Sequence, residues 1–185
     1  MKKIIVCCVL SFFLTNCSQR PTQSRSVVKG VDSMSITLTS NAFQEGELIP
    51  QKFTCDDANI SPALKWSSFP AKTKTFALIA DDPDAPKGTW VHWVIFNIPV
   101  SVNELPENFP HDKISAGGIT QGKNDSGDIG YDGPCPPSGT HRYFFKMYAL
   151  DAELDLDAGC TKQNLLDAME GHVLAQGQLM GRFHH

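Results

Sequence analysis

The sequence is poor in the patterns that announce metal and nucleophile chemistry. It contains no His-x-x-x-His or Cys-x-x-Cys pair, and no serine inside a Gly-x-Ser-x-Gly elbow. Basic charge is scarce as well: 16 Lys and Arg stand against 20 Asp and Glu, a net charge of −4. That balance argues against broad binding to nucleic acid or to anionic lipid headgroups, while leaving room for a local basic pocket. No internal repeat is visible. No apolar run approaches the ~20 residues that a membrane-spanning helix needs. What remains is ordinary: 41% hydrophobic and 19% charged residues describe a globular chain, and 185 residues suit one domain.

The N-terminus carries an export pattern. Lys2 and Lys3 precede an apolar stretch from Ile4 to Leu14 broken only by Ser11, which reads as a basic n-region and an h-region. Leu14-Thr15-Asn16-Cys17 then resembles a bacterial lipobox, with Asn16 where a small residue is usual. The expectation is a signal segment over residues 1–17 with Cys17 as the lipidation candidate, a polar tether over 18–33, and one domain over 34–185. Starting at Cys17 leaves 14 basic and 20 acidic residues, a net charge of −6. Membrane attachment is expected only through the N-terminal lipid, and localisation in the periplasm or on an envelope membrane.

Three of the six cysteines then remain available, Cys55, Cys135 and Cys160. In an oxidising compartment an odd number favours one disulfide and one free thiol. Cys55 and Cys135 both lie in loops rich in Pro, Gly and Asp, so these two are expected to pair.

Strand signals dominate the domain. Met34 to Thr39 alternates apolar and polar, Leu64 to Trp66 is a short strand, and Thr75 to Ala80 reads as a strand buried on both faces. Val91 to Ile98 is a second such run. Period-2 parity places His92, Val94, Phe96 and Ile98 on one face, and Val91, Trp93, Ile95 and Asn97 on the other. His141 to Leu150 is a further strand, with His141, Tyr143, Phe145 and Met147 on one face. Thr161 is a plausible N-cap for a helix through about Met169, with Leu165, Leu166 and Met169 as its apolar stripe. Val173 to Phe183 fits a strand or a continued helix, and periodicity does not decide. The class is mainly β, a strand-rich sandwich with a few helices.

Between the two buried runs lies Asp81-Asp82-Pro83-Asp84-Ala85-Pro86. Proline fixes its own φ and pushes the preceding residue toward extended backbone, so this is a stiff loop with set carboxylate directions. The bland reading is an acidic turn. A second candidate segment, Gly130 to Gly139, belongs to a long irregular loop of the kind that is functional or disordered. His92 and His141 each sit near the start of a strand beside such a loop. Two histidines and two aspartates converging there can bind an anion, hold a metal, activate Cys135 or Ser138 as a nucleophile with His141 as base, or be structural. Taken singly, each histidine reads first as structural. The missing motifs weigh against metal and nucleophile, and Cys135 between Pro134 and Pro136 suits a disulfide better than a reactive thiolate.

Asp82-Pro83-Asp84-Ala85-Pro86, Trp90-Val91-His92-Trp93, Asn97-Ile98-Pro99, Gly133-Pro134-Cys135-Pro136-Pro137-Ser138-Gly139 and His141-Arg142-Tyr143 together resemble the phosphatidylethanolamine-binding protein (PEBP) family. The likeness is to its bacterial YbhB/YbcL-type, Raf-kinase-inhibitor-like branch. Phe53-Thr54-Cys55, Asn59-Ile60-Ser61-Pro62 and Gly171 to Phe183 fit the same branch. The resemblance implies a PEBP-like β-sandwich with peripheral helices and a small pocket for phosphate-like anions. By motif position it implies ligand-binding roles for Asp82, His92, Pro134, His141 and Tyr143. Asp84, Pro86 and Gly133 are expected to brace the loops, Arg142 to be structural, and Asp81 to face solvent or a neighbouring backbone. No metal or other cofactor is expected. A homodimer is what the bacterial relatives imply.

The expected function is reversible binding of a small phosphoryl-type anion in the cell envelope, without turnover. His92, His141 and loop N–H groups donate, while Asp82 accepts a ligand proton or orients an imidazole. One rival is a protein-interaction module acting on an envelope protease or kinase. Another is a hydrolase using Cys135 or Ser138 with His141.

Overall fold

The computed structural model describes residues 35–185. The signal segment, Cys17 and the tether fall outside the described residues.

Two antiparallel sheets form the domain. The smaller joins β1 (Thr37–Ser40), β2 (Leu64–Ser67) and β5 (Glu104–Leu105) in the order β1-β2-β5. The larger contains β3 (Thr75–Asp82), β4 (Trp90–Pro99), β6 (Thr120–Gln121), β7 (Thr140–Leu150) and β8 (Val173–His184), in the order β6-β4-β3-β7-β8. One helix, α1 (Lys162–Met169), and two short 3-10 turns complete the regular structure among the described residues. The fold is therefore mainly β, as the strand-rich sequence implied. No helix among the described residues is long and apolar enough to cross a membrane.

The larger sheet is covered on both faces, which explains why β3 and β4 are nearly continuous apolar runs. Phe76, Leu78, Trp93, Ile95, Phe145 and Met147 pack with Leu38, Leu64 and Trp66 of the small sheet. On the other face Ala77, Ile79, Val94 and Phe96 pack with Leu154, Leu165 and Met169. Every residue of β3 is buried. Helix α1 begins where Thr161 accepts from the Asn164 N–H while the Asn164 side chain accepts from the Thr161 N–H, a capping box. The ambiguous segment from Val173 is strand β8, paired along β7 from Leu150↔Val173 to Thr140↔His184.

The parity reading of β4 needs correction. Trp93 and Ile98 both join the core beneath the small sheet, whereas Val94 and Phe96 join the opposite one. Two bulges cause this. Between Ala80↔Trp93 and Asp81↔Val91 the partner strand advances one residue while β4 advances two, leaving His92 as the extra residue. Between Phe76↔Ile98 and Leu78↔Ile95 β4 again carries one residue too many, with Asn97 at a φ of 53°. The Asn97 side chain stabilises that bend by donating to the Leu154 carbonyl and accepting from the Leu154 N–H, both at 2.9 Å.

Candidate functional site

At one end of the larger sheet the last residue of β3, the bulge of β4 and the start of β7 meet. A cleft of about 370 Å³ opens there. Asp82, His92, His141 and Tyr143 line it, under a rim that includes Trp90, Pro86, Pro136 and the Cys55–Cys135 pair. No Lys or Arg is among the lining residues.

Asp82 is 3% exposed. One carboxylate oxygen accepts from His141 Nδ1 at 2.7 Å, and the other accepts from the Asp84 N–H at 2.7 Å. Because the carboxylate can only accept here, Nδ1 of His141 carries the hydrogen and Nε2 is left for other partners. His92 is held in the same way by a different acceptor. Its Nδ1 donates to the Asp132 carbonyl at 2.7 Å, and the Asp132 N–H donates back to the His92 carbonyl at 2.9 Å. Both imidazoles are thus anchored through Nδ1. Burial pushes the His92 pKa below the ordinary 6.5, outweighing the opposing pull of the Asp132 carbonyl and the nearby aspartates. His92 is neutral in the unliganded site at neutral pH.

Tyr143 stands edge-on to His92, with ring centroids 5.2 Å apart. It is 3% exposed, and its hydroxyl is buried without a hydrogen-bond partner. The Cys135 backbone lies near the phenol but outside hydrogen-bond geometry. Burial and the Asp82 and Asp84 carboxylates push the phenol's pKa up, so it is a neutral O–H. An orphaned buried hydroxyl in the wall of a polar cleft is a group waiting for a ligand or water.

Asp84 braces the loop. It accepts from Arg142 Nε at 2.9 Å, Nη2 at 2.7 Å and backbone N at 3.0 Å, and the guanidinium pulls its pKa to about 2. Gly133 fits against the Cys55 segment: its N–H donates to Asn59 Oδ1 at 2.7 Å, and a Cβ there would sit 2.5 Å from the Phe53 carbonyl. Pro86 lines the cleft.

Two expectations change. Pro134 is buried behind the rim rather than lining the cleft, and its carbonyl accepts from the Cys55 N–H at 3.1 Å. Asp81 faces neither solvent nor backbone. It is 0% exposed and accepts from Lys146 at 2.7 and 2.9 Å and from Lys162. The expected Cys55–Cys135 disulfide is present, with Cα atoms 5.5 Å apart, and it leaves no thiol for the rival nucleophile at Cys135. Ser138 is not among the lining residues.

Asp132 and Ser126 were missed. Ser126 Oγ donates to Asp132 Oδ2 at 2.6 Å, Asn59 Nδ2 donates to Oδ1 at 3.2 Å, and both Asp132 and Ser126 line the cleft. Their signal was the length of the loop itself, whose chain returns to grip β4: the Asp125 carboxylate accepts from the Val91 N–H at 2.8 Å.

Comparison with known proteins places the chain in a family. The sequence matches phosphatidylethanolamine-binding protein over residues 39–184. A UPF0098 protein of Methanothermobacter thermautotrophicus is 53% identical over 148 residues, covering 80% of this chain and 98% of the relative. One from Aquifex aeolicus is 48% identical over 148 residues, covering 78% and 85%. The crystal structure of a putative PEBP homologue from Chlamydia trachomatis is similar at a TM-score of 0.75 and 41% identity, covering 82% of this chain and 98% of that one. The crystal structure of Escherichia coli YbcL, described as a new member of the mammalian PEBP family, is similar at a TM-score of 0.76 and 32% identity, covering 82% and 99%. The chain belongs to the phosphatidylethanolamine-binding protein family, in the branch that contains the bacterial YbcL-type proteins.

Proposed function

We propose that this protein binds a small phosphoryl-type anion in the His92–His141 cleft and releases it unchanged. The observation that carries the reading is the Tyr143 hydroxyl, buried without a partner in a cleft where both histidines offer Nε2. Tyr143 donates one hydrogen bond to the ligand, and loop N–H groups add others. The absence of lysine or arginine in the lining makes the site selective for a ligand that brings a proton. A neutral Nε2 accepts from a phosphoryl hydroxyl, and an imidazolium Nε2–H donates to a bare oxygen, so a phosphomonoester dianion, which has no hydroxyl, binds with one proton taken up. Asp82 fixes the His141 ring and offers no donor of its own. The N-terminal pattern supports an exported lipoprotein displaying this cleft in the cell envelope.

Calorimetric titration with inorganic phosphate and with phosphoethanolamine tests the assignment. The His92→Ala, His141→Ala double variant should bind both at least tenfold more weakly, about 1.4 kcal/mol. Equal affinity in a variant with native near-ultraviolet circular dichroism sinks the assignment.

A further inference from the structure

The Cys55–Cys135 pair is more than a staple, because a third metal-ligating side chain lies beside it. The two sulfurs and a ring nitrogen of His185 all lie within 4.8 Å of one another. His185 Nδ1 is also 3.4 Å from Asp56 Oδ1, on the residue next to Cys55.

We propose that reduction of this disulfide converts the rim of the cleft into a Cys55–Cys135–His185 site for one thiophilic cation of the Zn²⁺ type. Tetrahedral zinc takes sulfur at about 2.3 Å and nitrogen at about 2.0–2.1 Å, so its donor atoms stand about 3.4–3.8 Å apart. The present spacing accommodates that arrangement with small side-chain movements once the sulfurs separate.

The chemistry balances with a dithiol as reductant. One of its thiolates attacks a cystine sulfur to form a mixed disulfide, and its second thiol displaces the cysteine. Two electrons and two protons pass to the protein, and the reductant leaves as its own disulfide. Metal binding then displaces the two thiol protons to solvent and leaves two thiolates on the ion. Both cysteines are exposed and open to attack. The two loops do not depend on the covalent bond alone for their register. Cys55 N–H donates to the Pro134 carbonyl at 3.1 Å, and Asn59 bonds both Gly133 and Asp132, at 2.7 and 3.2 Å. The thiols therefore stay together after reduction. Since both cysteines line the cleft, the ion sits at its rim with its charge balanced by the two thiolates.

Cobalt titration of the whole protein is the test, with a phosphine as reductant so that no foreign thiol competes. The reduced protein should show a thiolate-to-cobalt charge-transfer band that saturates at one equivalent and bleaches with Zn²⁺. The oxidised protein should show none. Cys135→Ser should abolish the band, and His185→Ala, at an exposed position, should weaken cobalt binding at least tenfold. A folded reduced protein without the band overturns the proposal. So does a His185→Ala variant with unchanged affinity, or loss of near-ultraviolet circular dichroism on reduction, since the site presupposes the two loops in place.

Discussion

Asp81 and Asp82 are adjacent on the same strand and almost equally buried, yet they end in opposite situations. Asp81 points to one side of the sheet and is compensated there by two ammonium groups, Lys146 from β7 and Lys162 from α1. Asp82 points to the other side, where it meets one imidazole and one backbone N–H beside an unpartnered phenol. A buried carboxylate is thus no mark of a site by itself. The mark is incomplete satisfaction around it, because a closed ion cluster leaves nothing for a ligand to do. The Asp81 side ties α1 to the sheet. The Asp82 side holds the open donor, and it is there that we propose a ligand binds.

The largest expected effect tests that division. Asp81→Ala leaves Lys146 and Lys162 facing each other without a counter-charge in a half-buried setting. The variant should lose about 3 kcal/mol of stability in urea unfolding, the scale for breaking a buried pair. Its affinity for phosphate should not change. If affinity falls along with stability, the two sides are coupled and the comparison fails.

The chain showed one of these sides far better than the other. β3 and β4 were legible as apolar runs because a sheet covered on both faces demands them. Helix α1 was legible from Thr161 and its stripe. The partners of Asp81 were not legible, since Lys146 and Lys162 lie 65 and 81 residues away in sequence. The direction of His92 was lost for a local reason: one extra residue in β4 shifts all the side chains beyond it, and parity has no means of counting a bulge. β8 stayed ambiguous because its glycines answer to tertiary contacts. A Cβ at Gly177 would fall 1.9 Å from the Ile36 carbonyl oxygen. The ligand-binding roles of Asp82 and His141 came only through the family resemblance, which also set Pro134 one layer too far out.

A smaller effect should separate stability from binding on the Asp82 side. Tyr143→Phe deletes a hydroxyl that has no partner in the empty site. Stability should hold or rise by up to about 1 kcal/mol, because an unsatisfied buried polar group is relieved. Phosphate affinity should nevertheless fall severalfold. Opposite signs from one atom identify a group reserved for a ligand. A loss of stability without a loss of affinity would show instead that the hydroxyl is paired in solution and that Tyr143 belongs with Asp81 among the structural residues.

The smallest effect is a pH dependence that only the Asp82 side should display, through His92. Burial lowers its folded pKa below 6.5, whereas the unfolded chain titrates near 6.5. Below that pH the unfolded state binds more protons than the folded one, so stability rises with pH through this window and is lost as pH falls. An anion in the cleft favours the imidazolium and works the other way. Sulfate is the useful probe, because its own charge stays constant between pH 7.5 and 5.5. Over that interval the empty protein should lose stability while its sulfate affinity rises. In His92→Phe the first slope should be shallower and the second should be reduced. Should wild type and variant show the same two slopes, the proton taken up with the anion does not reside on His92, and His141 becomes the residue to change next.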